Sequence, residues 1–106
     1  WFKNCPDNEI RKTIVKEGIP IGAMTIKRHA DFNELSFFLK NGSSPEEWDE
    51  ALSMIRSLLE FMNMSVRDDL DINHKDKYEA LQRAGAIFTE CPIKYKEHQV
   101  VKRYFL

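Results

Sequence analysis

The chain has 106 residues, of which 42% are hydrophobic and 31% are charged. This balance is typical of a folded domain with one core, and it excludes a disordered or collagen-like chain. The net charge of −1 provides no overall basic footprint, which argues against a nucleic-acid-binding protein. No apolar run approaches the roughly 18 residues of a membrane helix, so we expect no membrane association.

The two cysteines indicate neither a metal site nor a disulfide-rich scaffold. Cys5 and Cys91 each precede a proline, and their spacing fits no zinc motif. One disulfide between them stays open as an alternative. Free thiols in a reducing compartment are the default for such a chain, so we expect a cytoplasmic protein.

The first elements along the chain are predicted to form a β-hairpin. Residues Ile10 to Lys16 alternate in part and favour a strand, Glu17-Gly18 supplies a turn, and Ile19 to Lys27 favours the return strand. Gly22 lies inside that second strand. A glycine there indicates a bulge or a close approach of another backbone segment.

The next segment, from Glu34 to Phe61, predicts a buried strand, a tight loop and a long helix. The strand ELSFFLK ends at Asn41-Gly42. Ser44 is then a predicted N-cap, with Pro45 at the first helical position and Glu47 completing a capping box. The predicted buried face comprises Trp48, Ala51, Leu52, Ile55, Leu59 and Met62, widened by Met54, Leu58 and Phe61.

The remaining elements are shorter. They are a strand from Val66 to Ile72 broken by Asp68-Asp69, a helix from Lys75 to Ala84 ended by Gly85, and strands from Ala86 to Thr89 and from Gln99 to Phe105. The order of strands and helices predicts a single domain over residues 1–106 of the α/β class. It would contain a mixed, mostly antiparallel sheet with helices packed on its faces.

Three stretches carry a resemblance to a known family. They are KEGIPIGAMTI, the strand-loop-helix ELSFFLKNGSSPEEWDEALSMIRSLLEF, and DINHKDKYEALQRAGAIF. Their order and spacing resemble the GCN5-related N-acetyltransferase (GNAT) superfamily. Within the last stretch, the run HKDKYEALQRAGAIF is also similar to degenerate GNAT-like proteins packaged in tailed-phage particles. Only about ten residues precede the hairpin, so we expect the domain to lack the family's N-terminal helical segment.

The resemblance implies a direct transfer of an acetyl group from acetyl-CoA to an amine. In the family the acyl-CoA lies where the central strand splays from its neighbour, and backbone N–H groups bind the thioester oxygen. Carried over, it implies Glu34 as general base and Tyr78 as general acid. The implied cofactor-binding residues are Phe38, Leu39, Lys40, Asn41, Gly42, Ser43, Ser44 and Asn73.

The loop between strand and helix departs from the family pattern, and this makes the domain a degenerate member. The family places several glycines there, so that backbone N–H groups surround a pyrophosphate. The loop of this chain has one glycine, Gly42, and Pro45 has no N–H to donate. Glu46 and Glu47 occupy the first helical turn, where they repel a pyrophosphate. These features argue against ordinary CoA binding.

Two further family positions also differ. The usual tyrosine position is Leu81, with Tyr78 one turn earlier on the same face. The family asparagine falls on His74 by strict spacing, or on Asn73 with one inserted residue.

Several candidate residues have a plainer structural explanation. Glu34 is also explained as a solvated carboxylate at a strand end, and Ser44 as a helix cap. Tyr78 and Trp48 lie on apolar faces and suit a core. His74, with Asp71, Asp76 and Lys77, fits a polar helix start as well as an acid-base or metal cluster. A basic patch fits a solvated edge strand better than a nucleic-acid surface, and comprises Lys94, Lys96, Lys102 and Arg103.

The residues therefore support three hypotheses. The first is an acyl-CoA-dependent N-acyltransferase, whose activity the degenerate loop calls into question. The second is a GNAT-like domain without catalysis, with a structural role or a protein partner, for example in a phage particle. The third is a small nucleic-acid-binding domain. The sequence assigns no oligomeric state.

Overall fold

The computed structural model describes residues 8–91 and 101–106 of the chain. Its elements are β1 (Glu9–Lys16), β2 (Ile19–Arg28), β3 (Asn33–Leu39), α1 (Pro45–Met62), β4 (Arg67–Asp71), α2 (Lys75–Arg83), β5 (Ile87–Glu90) and β6 (Val101–Phe105). The predicted order of elements and the mixed α and β class are confirmed. No helix in this part of the chain is long and apolar enough to cross a membrane.

The six strands form one sheet in the order β1-β2-β3-β4-β6-β5. Every neighbouring pair is antiparallel except β3 and β4, which run parallel. The β1–β2 hairpin turns at Glu17 and Gly18, which both have positive φ angles. Gly22 of β2 faces β3 so closely that a Cβ atom there would collide with the carbonyl oxygen of Phe38. The predicted close backbone approach is therefore confirmed.

The parallel strands β3 and β4 separate soon after they begin. Their ladder contains one pair of facing residues, Glu34 and Arg67, whereas the antiparallel ladder between β2 and β3 contains seven. Beyond that pair, the edge of β3 does not contact β4 by backbone hydrogen bonds. This opening is called the β3/β4 gap below.

The core lies between one face of the sheet and both helices. Along β3, Leu35, Phe37 and Leu39 are buried, while Ser36 and Phe38 between them are exposed, as expected of a strand with one covered face. Trp48 of α1 and Lys77 of α2 both contact the ring of Phe37. Both helices therefore pack on the same face of the sheet.

Two expectations from the sequence are wrong. Asp68 and Asp69 do not break β4, because both pair with β6 in an uninterrupted ladder. The strand β6 is not an edge strand, because it lies between β4 and β5. Its Arg103 forms a double hydrogen bond to the Asp69 carboxylate, whereas Lys94, Lys96 and Gln99 lie outside the described residues.

The buried face of α1 is narrower than predicted. Its five buried residues are Trp48, Ala51, Leu52, Ile55 and Leu59. Leu58 packs against the core only in part, while Met54 and Phe61 are largely exposed, Phe61 at 89%. A single layer of sheet covers about one third of a helix surface, so the flanking positions face solvent.

Candidate functional site

The loop between β3 and α1 is the place where the sequence predicts a cofactor site. The predicted capping box is confirmed, because the Ser44 hydroxyl accepts a hydrogen bond from the Glu47 amide at 3.2 Å. In return the Glu47 carboxylate accepts one from the Ser44 amide at 2.9 Å. Ser43 is buried, and its hydroxyl donates to the Lys40 carbonyl at 2.8 Å. The loop is thus closed by its own side chains.

Three backbone N–H groups of this loop have partners within the chain. The amide of Ser43 donates to the Lys40 carbonyl at 3.3 Å, and those of Ser44 and Glu47 are engaged in the capping box. Pro45 has no N–H group. A pyrophosphate bound here needs several free amides that converge on one point, and these residues do not supply them.

The charge at the helix start is also unfavourable for an anion. The hydrogen bond from the Ser44 amide lowers the pKa of the Glu47 carboxyl, with Lys16 adding a smaller effect. The Lys16 ammonium lies 3.8 Å from that carboxylate. Glu47 therefore occupies, as an anion, the place near the helix N-terminus where a phosphate would gain most from the helix dipole.

Substituting Ser44 by alanine is expected to lower the free energy of unfolding by about 1 kcal/mol, because the Glu47 amide loses its acceptor. Urea denaturation measures the change. The exposed Ser57, in the middle of the same helix, provides a control, since Ser57→Ala removes a hydroxyl without removing a cap. Equal effects of the two substitutions would contradict the role of Ser44.

The β3/β4 gap contains a charged side chain of α2. The Lys77 ammonium donates a hydrogen bond of 2.8 Å to the Phe37 carbonyl oxygen and lies 4.2 Å from the centre of the Phe37 ring. Burial lowers the pKa of Lys77, and the nearby Asp68 opposes that shift. Lys77 thus satisfies a backbone group of β3 that a regular parallel ladder would have paired with β4.

Asp68 and Tyr104 complete a polar cluster next to the gap. They face each other across the β4–β6 ladder. Burial raises the pKa of Asp68 to about 6, against the opposing effects of the Asp69 amide and Lys77, while Glu34 and Asp69 add to the rise. The Tyr104 hydroxyl is buried and has no hydrogen-bond partner among the described residues, and burial raises its pKa.

Sequence reasoning did not single out this cluster. Lys77 entered only as part of a polar helix start, and Asp68 as a strand breaker. The residues lie far apart in the chain, and no local spacing joins them. The one usable signal was a lysine on the buried side of a short helix, next to Tyr78.

Replacing Tyr104 by phenylalanine is expected to leave stability unchanged or to raise it by about 1 kcal/mol. The ring keeps its contact with Phe88, and a buried hydroxyl without a partner no longer has to be desolvated. Thermal unfolding, compared with Tyr78→Phe as control, measures the effect. A loss of stability specific to Tyr104→Phe would reveal a partner for the hydroxyl, such as a bound water.

The two predicted catalytic residues, Glu34 and Tyr78, each contact a neighbouring side chain of the domain. Glu34 lies at the start of β3, at the opposite end of the strand from the loop, and its carboxylate is 2.8 Å from His29 Nε2. Tyr78 is half-buried, with its ring edge-on to Phe88 at 5.1 Å between ring centres. Their catalytic roles stay predictions.

The predicted cofactor residues are only partly brought together. The side chain of Phe38 is 61% exposed and its carbonyl oxygen lies against β2, not the gap. Asn73 lies in the β4–α2 turn, where its amide donates to Asp71. The neighbouring His74 packs on Trp48 in the first turns of α1, which brings this turn close to the loop. Among the described residues, no group of three or more metal-binding side chains is present.

No protein-family model matches the chain, and no curated protein is significantly similar to it. Solved structures do match. They include an acetyl transferase of Salmonella typhimurium that modifies the N-terminal serine of a ribosomal subunit protein (TM-score 0.71, 6% identity, 94% of this chain and 64% of that one). Another is an N-acetyltransferase of Staphylococcus aureus (TM-score 0.69, 12% identity, 92% and 66%).

A third match is the N-acetyltransferase PseH of Campylobacter jejuni, solved in complex with acetyl coenzyme A (TM-score 0.67, 10% identity, 95% of this chain and 69% of that one). The chain therefore spans about two thirds of the length of these structures. At such low identity the likeness concerns the architecture alone. The chain has the fold of the GCN5-related N-acetyltransferase superfamily.

Proposed function

We propose that this GNAT-fold domain does not transfer acyl groups and serves as a structural or protein-binding module. The observation that carries the proposal is the β3–α1 loop, in which the amides of Ser43, Ser44 and Glu47 already have partners within the chain. Electrostatic binding of a pyrophosphate depends on such amides being free. Glu47 adds an anionic group at the same point.

The occupied β3/β4 gap supports the same proposal. In the family an acyl-CoA lies in this opening against the edge of the central strand. Here Lys77 donates to the Phe37 carbonyl oxygen, so part of that edge is already engaged. A ligand entering the gap must displace a half-buried ammonium group from its acceptor, which costs free energy.

The class of partner follows from the resemblance noted in the sequence. Residues 74–88 are similar to GNAT-like proteins packaged in tailed-phage particles, which suggests a protein partner within a larger assembly. The third hypothesis, nucleic-acid binding through the basic C-terminal strand, loses part of its basis because Arg103 is paired with Asp69.

A thermal-shift titration with acetyl-CoA, and separately with desulfo-CoA, tests the proposal. A ligand that binds only the native state raises stability by about 2.7 kcal/mol at a hundredfold excess over its Kd, which corresponds to a rise of several degrees for a domain of this size. We expect no concentration-dependent rise with either ligand. A rise with both would overturn the proposal.

A double variant, Pro45→Gly with Glu47→Ala, sharpens this experiment. It supplies one new N–H group, frees the Ser44 amide and removes the anionic side chain. We expect it to gain a ligand-dependent rise in melting temperature, although its basal stability is lower. Glu50→Ala, which removes one exposed carboxylate from the same helix, should gain nothing. If the double variant shows no ligand-dependent rise in melting temperature, the loop is not what prevents CoA binding.

Acyl transfer is the second candidate, and one observation favours it. Asp68 lies beside the gap with a pKa raised to about 6, close to the value that suits a general base at neutral pH. Its role would be to accept the proton of an attacking amine. Release of free thiol from acetyl-CoA with a panel of amines, abolished by Asp68→Asn, would establish this candidate. A panel without turnover would exclude it.

A further inference from the structure

A surface groove lies at the end of the domain opposite the β3–α1 loop. A groove of about 580 Å³ opens between the β2–β3 connection, the C-terminal end of α1 and the start of β4. We call it the arginine groove, and its lining includes Arg28, Phe32, Met62, Val66, Arg67 and Phe105. It lies at the opposite ends of β3 and α1 from the β3–α1 loop, so its role is independent of the function proposed above.

Pairing of the six arginines of the chain points to this groove. Four donate to oxygen atoms of the chain: Arg11 to Glu9, Arg56 to the Ala84 carbonyl, Arg83 to Asp49 and Arg103 to Asp69. Within the described part of the chain, the guanidinium groups of Arg28 and Arg67 have no such acceptor. Both line the arginine groove. The guanidinium groups without an oxygen partner are thus gathered at one place.

The guanidinium of Arg67 is held in a defined position although it lacks an anion. It lies 3.6 Å from the centre of the Phe32 ring, a cation–π geometry that leaves its N–H edges available. Phe32 in turn stacks on His29 at 4.4 Å. The side-chain amide of Asn33 donates a hydrogen bond of 3.0 Å to the Ser65 carbonyl oxygen. This bond joins the two walls of the groove. A preorganised donor of this kind loses little entropy when an anion binds.

The groove also has an apolar part beside polar residues such as Asn33, Asn63 and Ser65. Val66 is buried beneath it, Phe105 is 37% exposed, and Met62 lies at the end of α1. Asp31 is the one carboxylate among the lining residues, so the two arginines leave a local charge of +1 on a chain whose net charge is −1. The surface therefore suits a ligand that combines a carboxylate with an apolar side chain.

We propose that the arginine groove binds an acidic segment of a partner protein. A carboxylate of that segment accepts hydrogen bonds from Arg67 and Arg28, and a neighbouring apolar side chain rests on Val66 and Phe105. A nucleic acid fits less well, because its phosphates would leave the apolar floor uncovered.

An NMR titration of the full ¹⁵N-labelled chain tests this assignment. The probe is an N-acetylated, C-amidated peptide of alternating glutamate and phenylalanine, and the matched control contains glutamine in place of glutamate. We expect the amide signals of residues 31–33 and 65–67 to shift with a roughly millimolar Kd. The glutamine peptide is expected to bind about fivefold more weakly, and added salt to weaken only the acidic peptide.

Two variants identify the side chains responsible. Arg67→Gln and Arg28→Gln are each expected to raise the Kd of the acidic peptide about fivefold. Arg83→Gln, beside Asp49 at the opposite end of α1 from the groove, leaves it unchanged. Arg67→Lys keeps the charge and controls for any loss of folding. Absence of shifts at saturating peptide, or equal binding of both peptides, overturns the proposal. So does a single-stranded oligonucleotide that shifts the same signals at lower concentration.

Discussion

Replacing Gly22 by alanine is expected to destabilise the domain by about 3 kcal/mol, the largest effect among the substitutions considered. A Cβ atom at this position would collide with the Phe38 carbonyl oxygen and would approach a methyl carbon of Leu39 to 2.8 Å. The carbonyl is backbone in a central strand, so it cannot move without distorting the β2–β3 ladder. Urea denaturation of the two proteins measures the loss.

Gly18 provides the control for this prediction. It has a φ of +79° and open space around its Cα atom, so Gly18→Ala introduces backbone strain without a collision. That strain costs about 1 kcal/mol. If Gly18→Ala destabilises the domain as much as Gly22→Ala does, close packing between β2 and β3 is not the reason for the glycine.

Replacing Asp68 by asparagine is expected to stabilise the domain at neutral pH by about 2 kcal/mol. Burial raises the pKa of this carboxyl from 3.8 to about 6, and each unit corresponds to about 1.4 kcal/mol. The whole shift corresponds to about 3 kcal/mol, and partial contact of the Asp68 carboxyl with solvent reduces this effect. Because the folded state holds the proton more tightly than the unfolded state, Asp68 lowers the stability of the domain as pH rises from about 4 to about 6.

The pH dependence distinguishes this effect from a change in packing. The gain from Asp68→Asn should be nearly complete above about pH 6 and should disappear well below pH 4, where both states of the wild type are protonated at this position. Chemical denaturation at several pH values measures it, and Asp31→Asn, at an exposed carboxylate, serves as the control. A gain that is independent of pH would contradict the raised pKa.

The destabilising Asp68 also bears on the function. A carboxylate that lowers stability at neutral pH is unusual unless it serves a role or unless its neighbours compensate for it. Lys77 is such a neighbour, since it opposes the pKa rise of Asp68 while satisfying the Phe37 carbonyl. Lys77 therefore occupies part of the β3/β4 gap and offsets part of the cost of burying Asp68.

Local features of the fold could be predicted because they depend on neighbouring residues. The capping box joins Ser44 and Glu47, which are three residues apart, and their hydrogen bonds form whenever that turn becomes helical. The hairpin depends on Glu17-Gly18 in the same way. The predictions from the sequence were wrong where the tertiary environment determines the burial of a residue or the position of a strand. The exposure of Phe61 and the interior position of β6 follow from which surfaces the sheet covers, and helical periodicity contains no such information.

The sequence by itself determined the order of elements, the α/β class and the chemistry of the β3–α1 loop, where Pro45 has no N–H and Glu47 lies at a helix start wherever that helix packs. Only the tertiary structure decided which side chain enters the β3/β4 gap and where the arginines without an oxygen partner among the described residues lie. Lys77 meets a carbonyl 40 residues away, and Arg67 meets the ring of Phe32. Such contacts depend on how the strands are ordered in space, which no local pattern specifies.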